Sequence, residues 1–355
     1  MAVPKKNNTW KKTALIILCV LLALILAVLL TFTIWFESLI GRIKDPSTLE
    51  TYSDEQIESY LKETDSMDDF TGEVIDPDDV TMPSGTADLI DGEEIINVLL
   101  IGQDRRSSAG IGNTDAMILC TVNVKEKTLT MTSFLRDLWV SIPGYYNERL
   151  NTAYYLGKGS FDLLNETLKT NFGVVVDHNV EVDFAAFEKV VDLLGGIELE
   201  LTSKEANYLN RRGNWDVDDS TAGKWRLKTG VNLLTGEQAL AYSRIRNIDA
   251  DGDFSRTGRQ RKVLNKMVED AKEMSLMTML AMADQIIPLL TTDMTDSEII
   301  GYIRELAPML PELKVINQRI PADGAYKLVF INHKSVIQAD FEKAQELLKQ
   351  AIGDN

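Results

Sequence analysis

Residues 95–134 read "IINVLLIGQDRRSSAGIGNTDAMILCTVNVKEKTLTMTSF", and the fold turns on how this stretch divides. "IINVLLI" (95–101) is a short continuous apolar run, suited to a strand covered on both faces. "DAMILCTVNV" (115–124) and "TLTMTSF" (128–134) read as two further strands, joined through Lys125, Glu126 and Lys127 as a hairpin. The polar loop between the first two strands would lie at the carboxyl edge of a sheet, where ligands of α/β folds gather. The pattern from residue 95 onward is therefore that of a compact α/β domain.

Downstream the same grammar continues. "SFDLLNETLKTNFG" (160–173) predicts a helix capped by Ser160 and stopped by Gly173, and "DFAAFEKVVDLLGG" predicts another that opens at Asp183 and closes at Gly195. "IELEL" (197–201) is a strand. In "TGEQALAYSR" (235–244) Thr235 and Gln238 have capping-box spacing, and the helix should end near Arg244. After a loop over 245–255, "RTGRQRKVLNKMVEDAKEM" (256–274) gives a long helix with Val263, Leu264, Met267, Val268 and Ala271 on one face. Two more helical segments, a strand near "LKVINQRI" (313–320) and a terminal helix opened by Asp340 follow, with the amphipathic pattern of plain core helices.

Upstream the character changes twice. "ALIILCVLLALILAVLLTFTIWF" (14–36) is 23 residues without a charge. As a helix it would be roughly 34 Å long, enough to cross a bilayer core. Lys5, Lys6, Lys11 and Lys12 precede it against only Arg42 and Lys44 just after it, which keeps the N-terminus cytoplasmic and sends the rest outside. A cleaved signal peptide fits less well, because the run is long and no small-x-small site follows "TIWFESLIG". Residues 45–94 then hold 17 Asp and Glu against the one Lys62, so nearly all of the chain's net charge of −17 sits there. Sparse apolar residues and breaker signals such as "DPDDVTMPSGTAD" (76–88) read as a stalk. The acidity belongs to that tether, and a basic pocket in the folded domain meets no electrostatic objection.

Composition narrows the chemistry further. Cys19 and Cys120 form no disulfide framework and read as small buried hydrophobes. The two histidines, His178 and His333, lack metal-ligand spacing, which removes His-based triads and argues against a Cys/His zinc site.

Against this background "YSRIRNIDADGDFSRTGRQR" (242–261) gathers five arginines and three aspartates in one short stretch. A calcium loop fails, because Phe254 and Gln260 stand where an EF-hand needs Gly and a carboxylate. Nucleic acid is a poor fit for an extracytoplasmic domain with three aspartates in the patch. A solvated helix end whose charges pair with one another remains open from spacing alone. So does a phosphate cradle, in which Arg244 and Arg246 leave one helix while Arg256 and Arg259 enter the next at its N-terminus. The loops around it weigh toward the cradle. "IGQDRRSSAGIGNTDA" (101–116) offers Asp104, Asp115 and Arg106, and two carboxylates beside phosphates are a usual way to hold Mg²⁺. "SFLRD" (133–137) adds Arg136 and Asp137 at the end of the second hairpin strand.

Taken in order, Gly102-x-Asp104-x-Arg106, Thr114-Asp115, Arg136-Asp137, Arg244-x-Arg246 and Asp253-Phe254-x-Arg256-x-x-Arg259-Gln260 resemble the LytR-CpsA-Psr family over roughly residues 95–275. The connecting text "RLNTAYYLG", "DFAAFEKVVDLLGGIELEL" and "LTGEQALAYSRIR" is similar to it too. The resemblance implies an α/β/α fold with a mixed central β-sheet flanked by helices and an apolar tunnel for a lipid. It implies a membrane-anchored phosphotransferase that moves an anionic glycopolymer (teichoic acid, capsule or similar) from a polyprenyl-pyrophosphate carrier to peptidoglycan, in a bacterium with a thick wall. By matched position Arg106, Arg136, Arg244, Arg246, Arg256, Arg259 and Gln260 would hold the pyrophosphate. Asp104 and Asp115 would bind Mg²⁺ (or Mn²⁺) or act on the incoming hydroxyl, and Asp104, Asp115, Arg136 and Arg244 would be catalytic. Two departures stand out: "FLRD" where many members have proline before the arginine, and the extra Arg105 beside Arg106.

The expected organisation is a cytoplasmic tail (1–13), one transmembrane helix (14–36), an acidic extracytoplasmic linker (37–92), a LytR-CpsA-Psr-like catalytic domain (93–275) and a C-terminal extension (276–355) packed on the same domain. Two other functions fit the same residues. One is hydrolysis of polyprenyl pyrophosphates with water as acceptor. The other is a non-catalytic sensor of lipid-linked polymer, a cell-envelope regulator of the transcriptional-attenuator type.

Overall fold

The computed structural model describes residues 73–352, apart from residues 81, 84–88, 93, 105–112, 212–224, 247, 250–251 and scattered positions between 276 and 304. The expected transmembrane helix, Cys19 and the N-terminal part of the acidic linker lie outside the described residues. Among the described residues no helix is long and apolar enough to cross a membrane.

In chain order the strands are β1 (Glu73–Val74), β2 (Ile95–Asp104), β3 (Asn113–Asn123), β4 (Thr128–Phe134), β5 (Trp139–Val140), β6 (Glu148–Arg149), β7 (His178–Asp183), β8 (Ile197–Leu201), β9 (Gly230–Leu234), β10 (Thr291–Thr292), β11 (Lys314–Ile320), β12 (Tyr326–Ile331) and β13 (Lys334–Ala339). The helices are α1 (Leu150–Leu156), α2 (Phe161–Phe172), α3 (Phe184–Leu193), α4 (Ser203–Leu209), α5 (Gly236–Ser243), α6 (Asp253–Lys272) and α7 (Phe341–Ile352).

The central sheet has the order β10-β7-β2-β3-β4-β11. β2 pairs antiparallel with β3 and parallel with β7, while β4 pairs antiparallel with β3 and parallel with β11. The sheet is therefore mixed, and its helices cover both faces. On one face Leu99, Ile101, Leu119 and Phe134 pack with α1, α2 and α7 through Tyr154, Leu168, Phe172 and Leu348. On the other, Leu100, Ile118, Cys120 and Met131 meet Leu264 and Val268 of α6. β2 has neighbours on both sides and apolar cover on both faces, as its unbroken apolar run requires. The buried Asn97 within it donates to the carbonyls of Ile90 and Val175 and accepts from Thr121, so no polar cost remains.

The local signals hold where the chain chemistry demanded them. Ser160 accepts from the Asp162 amide and Gly173 takes the left-handed conformation at φ 77°, so α2 starts and stops as its sequence says. Asp183 caps α3 by accepting from the Ala186 amide at 2.8 Å. Thr235 and Gln238 form both halves of the α5 capping box.

Two expectations change. α6 starts at Asp253, so the loop before it is shorter than 245–255, and the helix carries Asp253 and Phe254 in its first turn. Within residues 276–352, β11 joins the central sheet beside β4 and α7 packs in the main core. The last part of the acidic linker is folded onto the domain. β1 adds a parallel edge to β12, Val80 packs with Trp139 and Val329, and Ile90 is fully buried. The β12–β13 hairpin was not read from the sequence. Its turn is Asn332-His333, both at positive φ (49° and 63°), the requirement of a two-residue hairpin that Asn tolerates well.

Candidate functional site

One edge of the central sheet collects the ends of its parallel strands. β2 and β7 end there, at Asp104 and Asp183, and Arg136 follows the end of β4. β3 runs antiparallel to β2, so its first residues return to the same edge and place Asp115 beside them. The β2–β3 register shifts between Gly102 and Gln103. At Gly102 an added Cβ would stand 3.0 Å from the Ala116 Cβ, a tight contact that glycine avoids where the two strands approach.

Asp115 is the hub. Arg136 donates to its Oδ1 at 2.6 Å, Arg246 Nη2 reaches both carboxylate oxygens at 3.3 Å, and Arg256 Nη1 is 3.7 Å away. Arg256 Nη2 also donates to the Asp115 carbonyl at 3.2 Å. A second carboxylate, Asp253, faces Arg256 at 2.6 Å and Arg136 at 3.8 Å. Three stretches distant in sequence thus converge: the start of β3, the end of β4, and the α5–α6 loop with the first turn of α6.

Burial alone would raise the Asp115 carboxyl, but Arg256, Arg136 and Arg246 outweigh it and hold it below its usual 3.8. Asp253 moves the other way, because its burial is less fully offset by Arg256 and Arg136. Arg256 is 1 % exposed, and burial pushes it down to about 10 despite Asp253 and Asp115. Its Nε, the Arg136 Nε and Gln260 Oε1 are buried with no hydrogen-bond partner among the described residues. A buried polar atom left unpaired costs about 1–3 kcal/mol. An anion with several oxygens would satisfy the two guanidinium donors.

The arginines border a cavity of about 650 Å³, within the range of ordinary ligand sites of about 300–1,000 Å³. Arg136, Arg244, Arg246, Arg256, Gln260 and Asp115 line it together with Val180, Val182, Phe187, Val190, Leu264, Met267, Ile286 and Leu290. Along α6, Arg256, Gln260, Leu264 and Met267 all line this cavity at helical spacing, so one stripe passes from charged to polar to apolar. Arg244, at the end of α5, lies with its guanidinium 4.6 Å from the centre of the Phe184 ring, a cation–π contact that holds the side chain over the start of α3.

Of the residues expected here, Asp115, Arg136, Arg244, Arg246, Arg256 and Gln260 come together. Arg259 does not line the cavity. Its Nε donates to Glu205 Oε1 at 2.9 Å, its Nη1 donates to the Ile245 carbonyl at 3.3 Å, and its Nη2 pairs with Asp249. Both carboxylates sit beside it on α4 and the loop before α6, so Arg259 staples these elements together instead of joining the cradle. Arg105 and Arg106 lie outside the described residues, and so does the Asp104 side chain. The sequence reading assigned no site role to Asp253 or Phe184, and the expected apolar tunnel came without the residues that line its wall. Asp253 was legible as an acid three residues before Arg256 on a helix, whereas the wall draws on β7, α3, α6 and residues 286–290, which no local pattern joins.

Asp115 also bears on the expected divalent ion. Its carboxylate is ionised and faces a cavity lined by arginines, the donor chemistry that would suit Mg²⁺ where one or two carboxylates and phosphate oxygens share it. Among the described residues no group of three or more His, Cys, Asp or Glu side chains is arranged to hold a metal.

The LytR_cpsA_psr family model matches residues 53–351. The chain belongs to the LytR-CpsA-Psr family. It is 36 % identical over 188 residues to the polyisoprenyl-teichoic acid–peptidoglycan teichoic acid transferase TagT of Bacillus subtilis, covering 52 % of this chain and 55 % of that protein. The chain thus spans about half the length of the curated relatives it matches. Among solved structures it resembles TagT bound to LIIa-WTA, with a TM-score of 0.59 and 28 % identity over 77 % of this chain and 97 % of that one. It also resembles the family protein YwtF (TagT) with bound octaprenyl pyrophosphate lipid, with a TM-score of 0.53 and 25 % identity over 78 % of this chain and all of that one. These likenesses agree with the α/β architecture of a LytR-CpsA-Psr domain.

Proposed function

We propose that this LytR-CpsA-Psr protein transfers an anionic glycopolymer from a polyprenyl-pyrophosphate carrier to peptidoglycan. One observation carries the reading. The α6 stripe Arg256-Gln260-Leu264-Met267 leads from a four-arginine cluster into an apolar cavity, a shape that suits a ligand with a doubly phosphorylated head and a greasy tail. TagT structures that hold octaprenyl pyrophosphate and LIIa-WTA support the same ligand class.

In the proposed reaction a sugar hydroxyl of peptidoglycan attacks the phosphorus nearer the glycan. The new P–O bond joins the glycan phosphate to the acceptor, the bridging P–O bond breaks, and polyprenyl phosphate leaves with that oxygen and its electron pair. The hydroxyl proton passes to a carboxylate or to water. Charge grows on the bridging and equatorial oxygens, and Arg136, Arg244, Arg246 and Arg256 meet it with donors already in place. Asp115 is a weak base here because three guanidiniums stabilise its ionised form. Its part is to hold Arg136, Arg246 and Arg256 together before substrate arrives. Mg²⁺ or Mn²⁺ on Asp115, with Asp104 as a second ligand, would neutralise phosphate charge in the same place.

The stretch 14–36 would anchor the protein, with its N-terminus in the cytoplasm and the folded domain outside the cell. The test is transfer of labelled polymer from a polyprenyl pyrophosphate to peptidoglycan fragments by the purified full chain. Arg136→Ala and Arg244→Ala should each lower the rate by about 10²–10³-fold, the usual cost of one preorganised donor. Unchanged transfer in both would contradict the assignment. Release of polyprenyl phosphate at the same rate without peptidoglycan would assign hydrolysis instead.

A further inference from the structure

A second pair of arginines stands near this cluster and takes no part in it. Arg319 follows Gln318 in β11 and pairs in register with Ser133, three residues before Arg136. Its guanidinium lies 4.5 Å from the centre of the Phe254 ring, in the first turn of α6. Phe254 in turn stacks on Tyr326 with ring centroids 4.8 Å apart. Arg261 is two helical turns beyond Phe254 and so shares its face of α6. One turn further, Asn265 accepts from Asn317 at 3.0 Å, which fixes that face against β11. Arg261 and Arg319 therefore face each other across the helix–strand contact.

Their hydrogen bonding is incomplete. Arg319 Nη2 pairs with Asp323, but Arg319 Nη1 and Arg261 Nη1 are buried without an acceptor among the described residues. Burial and the neighbouring Arg319 charge hold Arg261 down to about 10. Two like charges with orphaned donors repel each other and raise the free energy of the empty protein.

We propose that Arg261 and Arg319 form a second oxyanion subsite, distinct from the Arg136 cluster, that takes a phosphate group. The orphaned donors supply the hydrogen bonds and the paired charges supply the attraction. Two sources of phosphate fit: a phosphodiester of the donor polymer beyond its pyrophosphate, or a free phosphate ion. The polymer source rests on the transferase reading above, and the subsite itself does not.

The test is thermal denaturation of the full chain in detergent, titrated with inorganic phosphate and with a glycerol phosphate trimer. Wild type and Arg136→Ala should both show a rise in midpoint with either probe that Arg261→Gln needs about tenfold more probe to reach. A trimer effective at lower concentration than phosphate assigns the subsite to the polymer, and the reverse assigns it to a free ion. Without probe, Arg261→Gln should melt at or above wild type, since it deletes a repelled cation. Arg319→Lys, which keeps the charge but loses the fork, should also weaken the response. Equal responses of Arg261→Gln and wild type to both probes would overturn the proposal, as would a lower midpoint of Arg261→Gln without probe. The transferase reading fails separately, if Arg136→Ala and Arg244→Ala both leave polymer transfer intact.

Discussion

Asp115 shows most plainly what a single residue contributes to this protein. It shares its carboxylate among three arginines, two of which come from the far side of the chain. Breaking a buried pair of this kind costs about 3–5 kcal/mol, and because Asp115 keeps some exposure the lower end applies. Asp115→Asn should therefore lower stability at neutral pH, measured by urea unfolding. The folded-state carboxyl is depressed, so its stabilisation is fully present above the unfolded value and disappears as pH falls through the lower folded one. The gap between wild type and Asp115→Asn should stay constant from neutral pH down to about 5 and close below the usual 3.8. A constant gap down to strong acid would contradict the pairing. At this scale the sequence was informative where type and spacing sufficed: Arg244 and Arg246 stand at one helix end, and Arg256 in the first turn of the next helix. It misplaced Arg259, because only the fold reveals that Glu205 and Asp249 stand nearer to it than the cavity does.

Between elements, the position of Arg244 depends on how α5 packs on α3. At Gly236, the first residue of α5, a Cβ would lie 2.2 Å from the Glu188 carbonyl oxygen, and the Gly236 amide donates to Asp192 at 2.7 Å. Gly236→Ala forces the two helices apart. It should cost about 1–3 kcal/mol of stability, as overpacking generally does, and should weaken pyrophosphate binding because Arg244 moves with α5. A variant with unchanged stability and binding would show that the helices can shift freely. Elements with a local cause were legible: α2, α3 and α5 each carry their own cap, and the β3–β4 hairpin its own turn. The parallel partnership of β4 with β11 was not, since it joins residues nearly two hundred positions apart. Nor was the attachment of β1 to β12, because the acidic composition around it reads as a tether.

For the whole molecule, the claim is that one cavity serves an amphiphile. Its charged end lies at the carboxyl edge of the sheet and its apolar walls come from β7, α3, α6 and residues 286–290. Val190→Trp should fill the apolar part without touching the arginines. Octaprenyl pyrophosphate should then bind at least about tenfold more weakly, each lost CH₂ contact being worth about 0.8 kcal/mol, while inorganic pyrophosphate binds as before. Equal losses for both ligands, read by titration calorimetry, would mean that the cavity does not sort head from tail. The most direct measurement is a structure of this chain with a polyprenyl pyrophosphate. The account predicts both phosphates within hydrogen-bonding reach of Arg136, Arg244, Arg246 and Arg256, with the isoprenoid running past Leu264 and Met267. A headgroup bound elsewhere, or a lipid chain lying outside this cavity, would contradict it.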